Sequence, residues 1–183
     1  MKTEEMTKWA IDHAHSTVGF KVKHLMISNI KGSFKDFEGQ AVTAGDDFST
    51  ALISLSINTS SIDTEATDRD NHLKSADFFD SANFPKIKFD GTSIKDLGDD
   101  MYELTGDLDI KGISKKVIMS VEYGGLMTDP WGNVKAGFSI SGKLSRKDWG
   151  LNWNAALEAG GVLVGDEIKI TGDVELIKLV QSN

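Results

Sequence analysis

Apolar and polar side chains alternate along most of this chain, in short runs that are separated by turn residues. In the clearest early run, residues 18–24, Val, Phe and His fall on one side while Gly and Lys fall on the other. Comparable runs cover residues 8–12, 30–42, 51–58, 87–90, 102–110, 116–123, 138–144 and 168–176. Because successive side chains of a strand point to opposite faces, each run predicts a strand with one apolar and one wet side. The run 30–42 reads as a bent hairpin arm.

Strands with a single apolar face predict an antiparallel sheet, since the buried strands of βαβ units would read as continuous apolar runs. Closing such a sheet into a barrel removes its exposed edges and gives the apolar faces a common interior. Glycines at Gly106, Gly142 and Gly172 share the inward register, which fits strands that bend or leave room inside. The sequence therefore predicts an all-β fold, an antiparallel barrel of about eight strands, in a single domain over residues 1–183.

In one stretch this alternation is absent, and the apolar residues have helical spacing. His72, Ala76 and Phe79 recur at i, i+4 and i+7, and Leu73 lies beside them, so that one face is apolar. This pattern predicts a helical segment over about residues 67–80. A single helix in a β chain has to lie across something, either a packed core or a cavity.

The ends of this segment carry boundary signals. Thr67 and Asp70 have the spacing of a capping pair at its start. Pro85 requires an extended exit, because its ring disfavours a helical residue before it.

Composition narrows the functional classes. The net charge of −8 argues against a nucleic-acid surface and disfavours an anionic membrane face. The chain has no cysteine, which excludes disulfides and thiolate chemistry. The N-terminal residues lack the apolar core of a secretion signal, and no apolar run reaches the roughly 18 residues that a membrane helix needs. We expect a soluble, cytoplasmic protein without stable membrane insertion.

The barrel interior admits two interpretations. An eight-stranded barrel is just wide enough to be filled by side chains or to hold one small ligand. The inward residues are mostly Val, Ile, Leu, Phe and Met, so a lumen would suit a long apolar molecule better than a sugar or nucleotide. From the pattern alone, an ordinary packed core is the simpler interpretation.

The polar candidates are few. His13 and His15 form an H-x-H pair, which fits either a metal site or, more simply, a hydrogen-bonding role at a turn. His24 ends an inward strand register. His72 and Arg69 lie one helical turn apart, so they either meet a polar head group or tie the helix to the barrel rim.

Arg146 stands in an aromatic and basic cluster with Trp149 and Trp153. The simplest interpretation is a Trp that packs over a loop, with the Arg paired to an Asp. None of these residues forms a catalytic constellation, and we predict no catalytic residue, no metal and no cofactor.

The most recognisable run of the chain is RDNHLKSADFFD at residues 69–80, which is followed by Phe84-Pro85. Further distinctive segments are Ile11-Asp12, His15-Ser16, Phe20, His24, 32–34, 37–39, 104–112, 137–138, Arg146, 149–150 and 164–166. In this order, the segments resemble the YceI-like family of lipid-binding proteins over about residues 8–178.

The resemblance implies a lipocalin-like barrel around a long apolar channel that holds polyisoprenoid or similar lipids, with the helix at the barrel mouth as a fixed lid or an entry door. It also implies a homodimer. Through their register, the candidate ligand-binding residues are Phe20, Val22, His24, Leu55, Arg69, His72, Leu73, Phe79, Phe89, Leu104, Met119, Phe138, Ile140, Arg146, Trp149 and Ile168. We expect a non-enzymatic protein that carries or sequesters a polyisoprenoid, isoprenoid quinone or fatty-acid-like lipid. The alternative is an enzyme on a hydrophobic substrate, with His72 or His24 as acid or base.

Overall fold

The computed structural model describes residues 4–158 and 160–180, and strands account for most of them. Short 3₁₀ turns occupy His13–His15, Thr59–Ser61 and Arg146–Trp149. The strands and the helix are β1 Met6–Ile11, β2 Thr17–His24, β3 Ser28–Phe34, β4 Phe37–Ala44, β5 Asp47–Asn58, β6 Ile62–Asp63, α1 Thr67–Lys74, β7 Lys86–Gly98, β8 Met101–Ile110, β9 Ile113–Thr128, β10 Val134–Ser145 and β11 Val164–Lys178.

The strands form an antiparallel barrel, as the alternation predicts. Their order in the sheet is β1-β4-β5-β7-β8-β9-β10-β11-β2-β3-β6, and a further pairing of β1 with β11 closes the ring. Eight strands therefore make the closed barrel, and β2, β3 and β6 continue from β11. Closure removes the edges that an open sheet would expose.

Strand β11 carries two partners along one edge. Its residues 176–178 pair with β1, whereas residues 164–173 pair with β2. The predicted bent hairpin arm at residues 30–42 is confirmed: β3 pairs with β2 and β4 with β1, while β4 also pairs with β5. The chain bends at residues 35–36 and then continues along the same arm, from β2 to β1.

The two ends of the barrel differ. Turns 44–47, 98–101 and 128–134 lie at the end that we call the closed end. There Trp9 and Ala136 have no exposed surface, Phe48 packs on Trp9, and the indole of Trp9 donates to Thr43 Oγ1 over 2.8 Å. Turn 24–28, α1 and residues 110–113, 145–158 and 160–163 lie at the opposite end, which we call the mouth.

Helix α1 lies at the mouth but is shorter than predicted. It ends at Lys74, because the Ser75 hydroxyl donates to His72 O over 2.6 Å and the chain turns extended at Ser75. Residues 76–79 belong to turns, where Phe78 is buried and Ala76 is exposed. In the described part of the chain, no helix has the length and apolar character to cross a membrane.

The start of α1 is held by a different residue from the one predicted. The N-cap residue is Ala66, which offers no side-chain cap. The Asp70 carboxylate instead accepts from the backbone N–H and the hydroxyl of Thr64, over 2.8 and 2.6 Å. The predicted pairing of Thr67 with Asp70 is wrong, because a turn before the helix brings Thr64 back over its first turn.

Candidate functional site

The barrel encloses a cavity of about 430 Å³. The inward registers of the long strands form its wall, and nearly all of the lining side chains are aliphatic or aromatic. This volume lies in the range of small-molecule sites. The interior is therefore not filled by side chains, and the packed-core interpretation is wrong.

Inward glycines allow large side chains to lie flat against this wall. The ring of Phe89 covers Gly106, and the ring of Phe20 covers Gly32. The sulfur of Met119 covers Gly142 in the same way. A Cβ at these positions would push each side chain toward the lumen, so the glycines help to keep the centre of the barrel open.

The cavity is lined by every residue that the sequence selected as a ligand contact. The apolar members are Phe20, Val22, Leu55, Leu73, Phe79, Phe89, Leu104, Met119, Phe138, Ile140, Trp149 and Ile168. The polar members are His24, Arg69, His72 and Arg146. Their contact with a ligand stays a prediction.

Among the polar members, His24 is distinguished by a free ring. It is half-buried at the end of β2, and no hydrogen bond or ion pair to its ring is found in the described residues. Its backbone carbonyl accepts from Ile27 N and from Ser28. Of the four predicted polar contacts, His24 is best placed to meet a polar group of a ligand.

Arg69 is occupied by a structural contact. Its Nε and Nη2 donate to the hydroxyl and the carbonyl of Thr64, both over 2.7 Å. Thr64 is only 4% exposed and also binds Asp70. Arg69 therefore ties α1 to the segment before it.

His72 lies among aromatic rings at the mouth. Its Nε2 is 2.8 Å from Asp77 Oδ2, and its ring makes edge contacts with Phe78 and Trp153, at centroid distances of 5.1 and 4.6 Å. Phe78 and Trp153 contact each other at 5.5 Å. This cluster joins the helical segment to the loop after β10, and all three rings line the cavity.

Arg146 is a buried charge that organises the loop after β10. It is 3% exposed, and its guanidinium donates to Leu151 O over 2.5 Å, and to Trp153 O and Gly165 O over 2.9 Å. Burial lowers the pKa of the guanidinium, whereas Asp166 at 3.7 Å acts in the opposite sense. Because its N–H groups donate to backbone carbonyls, the guanidinium has a structural role in this loop.

The H-x-H pair does not converge. His13 Nε2 lies 2.7 Å from Lys35 O and its ring stacks on Phe37, while His15 lies 2.8 Å from Asp12. Both histidines therefore have the hydrogen-bonding role that is usual at a turn.

Asp12, His15 and Glu175 do come close enough to share a cation. The ammonium of Lys135 already lies there, 2.9 Å from Asp12 and 3.6 Å from Glu175. Burial opposes ionisation of Asp12, but its bonds to Lys135 and His15 prevail and lower the pKa of this carboxyl. The chain itself therefore supplies a cation to these carboxylates.

Comparison with known proteins identifies the family to which this fold belongs. The model of the YceI-like domain matches residues 9–176. The chain belongs to the YceI-like family. It is 40% identical over 171 residues to the UPF0312 protein SA2479 of Staphylococcus aureus, which covers 93% of this chain and 97% of the relative.

Solved YceI-like structures share the fold. The YceI protein of Campylobacter jejuni is 32% identical, with a TM-score of 0.74 over 98% of this chain and 100% of the other. A polyisoprenoid-binding domain from Saccharophagus degradans has a TM-score of 0.70 at 13% identity, over 93% and 98% of the two chains. The second likeness shows the fold alone.

Several lining residues of this YceI-like barrel were missed by the sequence reasoning. The sequence patterns did not select Phe78 or Tyr102 as lining residues, and they placed Trp153 only in the cluster with Arg146. Burial, followed by the charges of Asp96 and Asp47, raises the pKa of the Tyr102 phenol. The inward register of β8 places Tyr102 beside Leu104, so strand parity was the signal that would have found it.

Proposed function

We propose that this protein binds a long apolar lipid in the barrel lumen, and that it carries or sequesters the lipid without changing it chemically. The ligand class is a polyisoprenoid, an isoprenoid quinone or a fatty-acid-like chain. The observation that carries the proposal is the enclosed cavity of about 430 Å³ with an almost wholly apolar wall. The description of the Saccharophagus degradans domain as polyisoprenoid-binding supports it.

Burial of the chain supplies the affinity. Each CH₂ group removed from water contributes roughly 0.8 kcal/mol, so a few isoprene units exceed the cost of ordering the ligand. The wall offers few polar partners, and this favours hydrocarbon over sugars or nucleotides. The free ring of His24 then orients a hydroxyl, carboxylate or quinone oxygen at the mouth.

Native mass spectrometry and organic extraction of protein purified from its own host test the proposal directly. We expect a bound lipid whose mass is consistent with an isoprenoid or acyl chain. Absence of any lipid, together with failure to take up prenyl or fatty-acyl ligands in vitro, would contradict it.

A matched pair of variants tests whether the lumen is the site. Ile140 faces the cavity, whereas the adjacent Ser139 faces outward and is exposed. Ile140→Trp fills part of the lumen, and we expect it to lower the uptake of a pyrene-labelled fatty acid about tenfold or more. Ser139→Trp adds the same side chain outside and should leave uptake unchanged. Equal effects of both variants would place binding elsewhere.

The enzyme alternative makes a different prediction for His72. Its hydrogen bond with Asp77 and its edge contacts with two rings are the features of a structural contact. His72→Ala should change ligand affinity and leave no reaction to lose. Conversion of a bound lipid by the wild type, abolished in His72→Ala with binding intact, would favour the enzyme.

The compartment and the assembly state stay predictions. Cell fractionation tests the cytoplasmic location. Size-exclusion chromatography with light scattering tests the homodimer that the family resemblance implies.

A further inference from the structure

The turn between β2 and β3 has an unfavourable sequence for its shape. Leu25 and Met26 occupy its two central positions at φ values of 53° and 61°, and Ile27 N donates to His24 O over 3.2 Å. Positive φ at both central positions of a turn is the conformation that favours Asn-Gly. Large apolar residues rarely adopt positive φ, so this turn sequence carries a conformational cost.

The same turn exposes apolar surface. Ile27 is 85% exposed, Met26 58% and Leu25 39%. Val162, 39% exposed, lies in the adjoining loop, where the sulfur of Met26 covers Gly161. We call Leu25, Met26, Ile27 and Val162 the mouth tip.

The mouth tip adjoins the entrance of the cavity. His24, which precedes it, lines the cavity, and so does Leu163, which follows Val162. The backbone N–H of Leu25 donates to Leu163 O over 2.9 Å and joins the two halves of the tip. An object in contact with the tip therefore also contacts the rim through which a ligand passes.

A second feature lies on the outer face of the same part of the barrel. Lys31 pairs directly with Lys21, Lys21 with Lys169, and Lys169 with Lys143, across four adjacent strands. We call these four residues the lysine row. Like charges that face each other across strands are destabilising. In the described part of the chain, the only ion pair of the row joins Lys143 to Glu167 at 4.0 Å.

The local charge is opposite in sign to that of the whole chain. Residues 17–34 contain three lysines and no Asp or Glu, although the net charge of the protein is −8. Turns at the closed end carry Asp46, Asp99, Asp100 and Asp129 instead. The net charge argued against an anionic membrane face, but it is a sum over the whole chain and does not show that positive and negative side chains lie at different ends.

We propose that the mouth tip and the lysine row together dock this barrel on the surface of a lipid bilayer with anionic headgroups. Lys21 precedes His24 by three residues, about 10 Å along the strand, which is close to the Debye length at physiological salt. A barrel tilted onto its β2–β3 hairpin thus inserts the tip among the headgroups while the lysines face their charges.

The cavity ligand identifies the partner. This inference rests on the proposed function, because a long apolar lipid resides in membranes and would expose its whole chain if it crossed water. Docking the mouth against the bilayer removes that exposure. The tip is a convex turn rather than a groove, a shape that suits insertion between headgroups better than binding a protein segment.

Vesicle flotation tests the proposal without any added ligand. We expect the wild type to float with vesicles of phosphatidylcholine and phosphatidylglycerol, more weakly with phosphatidylcholine alone, and less as salt increases. Lys21→Gln/Lys31→Gln should lower binding to the anionic vesicles about tenfold or more. Lys8→Gln/Lys95→Gln, with two exposed lysines outside the row, should not change it.

The tip is tested by a substitution that does not threaten the fold. Leu25→Asn/Met26→Gly installs the residues that this turn prefers, so thermal stability should be equal or higher while vesicle binding falls about tenfold or more. Met127→Ser/Trp131→Ser removes two residues that are 76% and 83% exposed at the closed end, and it should leave vesicle binding unchanged.

A fluorescent probe locates the contact. Because the chain has no cysteine, Ile27→Cys and Met127→Cys each carry one environment-sensitive label. Only the label at position 27 should shift to shorter wavelength with anionic vesicles. Equal shifts at both positions, no flotation of the wild type, or flotation unchanged by the tip and row variants would overturn the proposal.

Failure of the docking proposal is distinguishable from failure of the proposed function. Uptake of a pyrene-labelled fatty acid delivered from ethanol needs no membrane. The tip variant should retain this uptake but take the same probe from vesicles more slowly than the wild type. Normal uptake without any vesicle contact would overturn docking alone, whereas vesicle contact without uptake would overturn the lipid-binding function.

Discussion

At the scale of single residues, the mouth of the barrel depends on one buried charge. Arg146 donates to four backbone carbonyls, those of Leu151, Trp153, Val164 and Gly165. The aromatic cluster at the mouth includes Trp153, so the position of that ring follows from Arg146. The neighbouring Lys147 also meets Asp166, but it is largely exposed.

Arg146→Met should therefore lower the free energy of unfolding by about 2–4 kcal/mol, because it leaves buried carbonyls without donors. Lys147→Met removes an exposed ion pair and should cost less than about 0.5 kcal/mol. Urea denaturation of both variants checks this. Similar losses would mean that the carbonyls find other donors.

Two glycines of the wall should respond differently to substitution. A Cβ at Gly106 meets the Phe89 ring and lies 2.6 Å from the backbone oxygen of Asp90, so Gly106→Ala should cost about 1–3 kcal/mol. A Cβ at Gly142 meets the flexible end of Met119, which can turn into the cavity. Gly142→Ala should change stability little, as thermal denaturation will show. Equal losses of stability in the two variants would mean that the Met119 side chain cannot move away from the added Cβ.

At the scale of elements, α1 is held by the segment before it rather than by its own cap. Thr64 binds both Arg69 and Asp70, and it lies before the helix that the sequence pattern predicted. The spacing of apolar residues predicted the helix, whereas the chain reversal at residues 64–66 determines which contacts stabilise it.

Thr64→Val keeps the shape of the side chain and removes its hydroxyl, so Arg69 Nε loses its acceptor and the Asp70 carboxylate loses a donor. We expect a loss of about 1–3 kcal/mol and faster amide exchange in α1, with the strands unaffected. Thr67→Val, at the position that the sequence predicted as the cap, should be nearly neutral. Hydrogen exchange measured by mass spectrometry compares amide exchange in α1 of the two variants. Faster exchange in Thr67→Val than in Thr64→Val would support Thr67 as the cap.

At the scale of the whole molecule, the cluster around Lys135 helps to close the barrel. Lys135 lies on β10 and binds Asp12, which is 123 residues earlier between β1 and β2, and Glu175 on β11. The hydrogen bond to Asp12 is the main reason that the pKa of Lys135 is raised. The lowered pKa of Asp12 and the raised pKa of Lys135 both indicate that the folded state favours the charged pair.

The pair should make stability depend on pH. Because folding lowers the pKa of Asp12, its contribution is present above the usual value of 3.8 and is lost as the pH falls through the folded-state pKa. Because folding raises the pKa of Lys135, its contribution is lost only as the pH rises above 10.5. Between these limits the contribution is constant.

Lys135→Met should accordingly lower the melting temperature between pH 5 and 9 in comparison with wild type, and the difference should shrink on acidification below about pH 4. Lys95→Met, at an exposed lysine, serves as the control. A difference that persists at low pH would show that Lys135 acts through packing rather than charge.

The alternation of side chains by itself determined the all-β class, the antiparallel barrel, the helical segment at about residue 67 and the inward residues of the wall. Strand parity is local, so it can be read without knowing which strands are neighbours. The family resemblance added the mouth position of the helix and the lipid class.

Only the tertiary structure decided that the interior is open and that Arg69 and Arg146 bind the chain. Only it showed that the ring of His24 has no hydrogen bond or ion pair to the described residues. It also brought four lysines from β2, β3, β10 and β11 into one row. These features depend on register between strands far apart in sequence. Periodicity assigns a side chain to a face, but it does not state what lies beside it on that face.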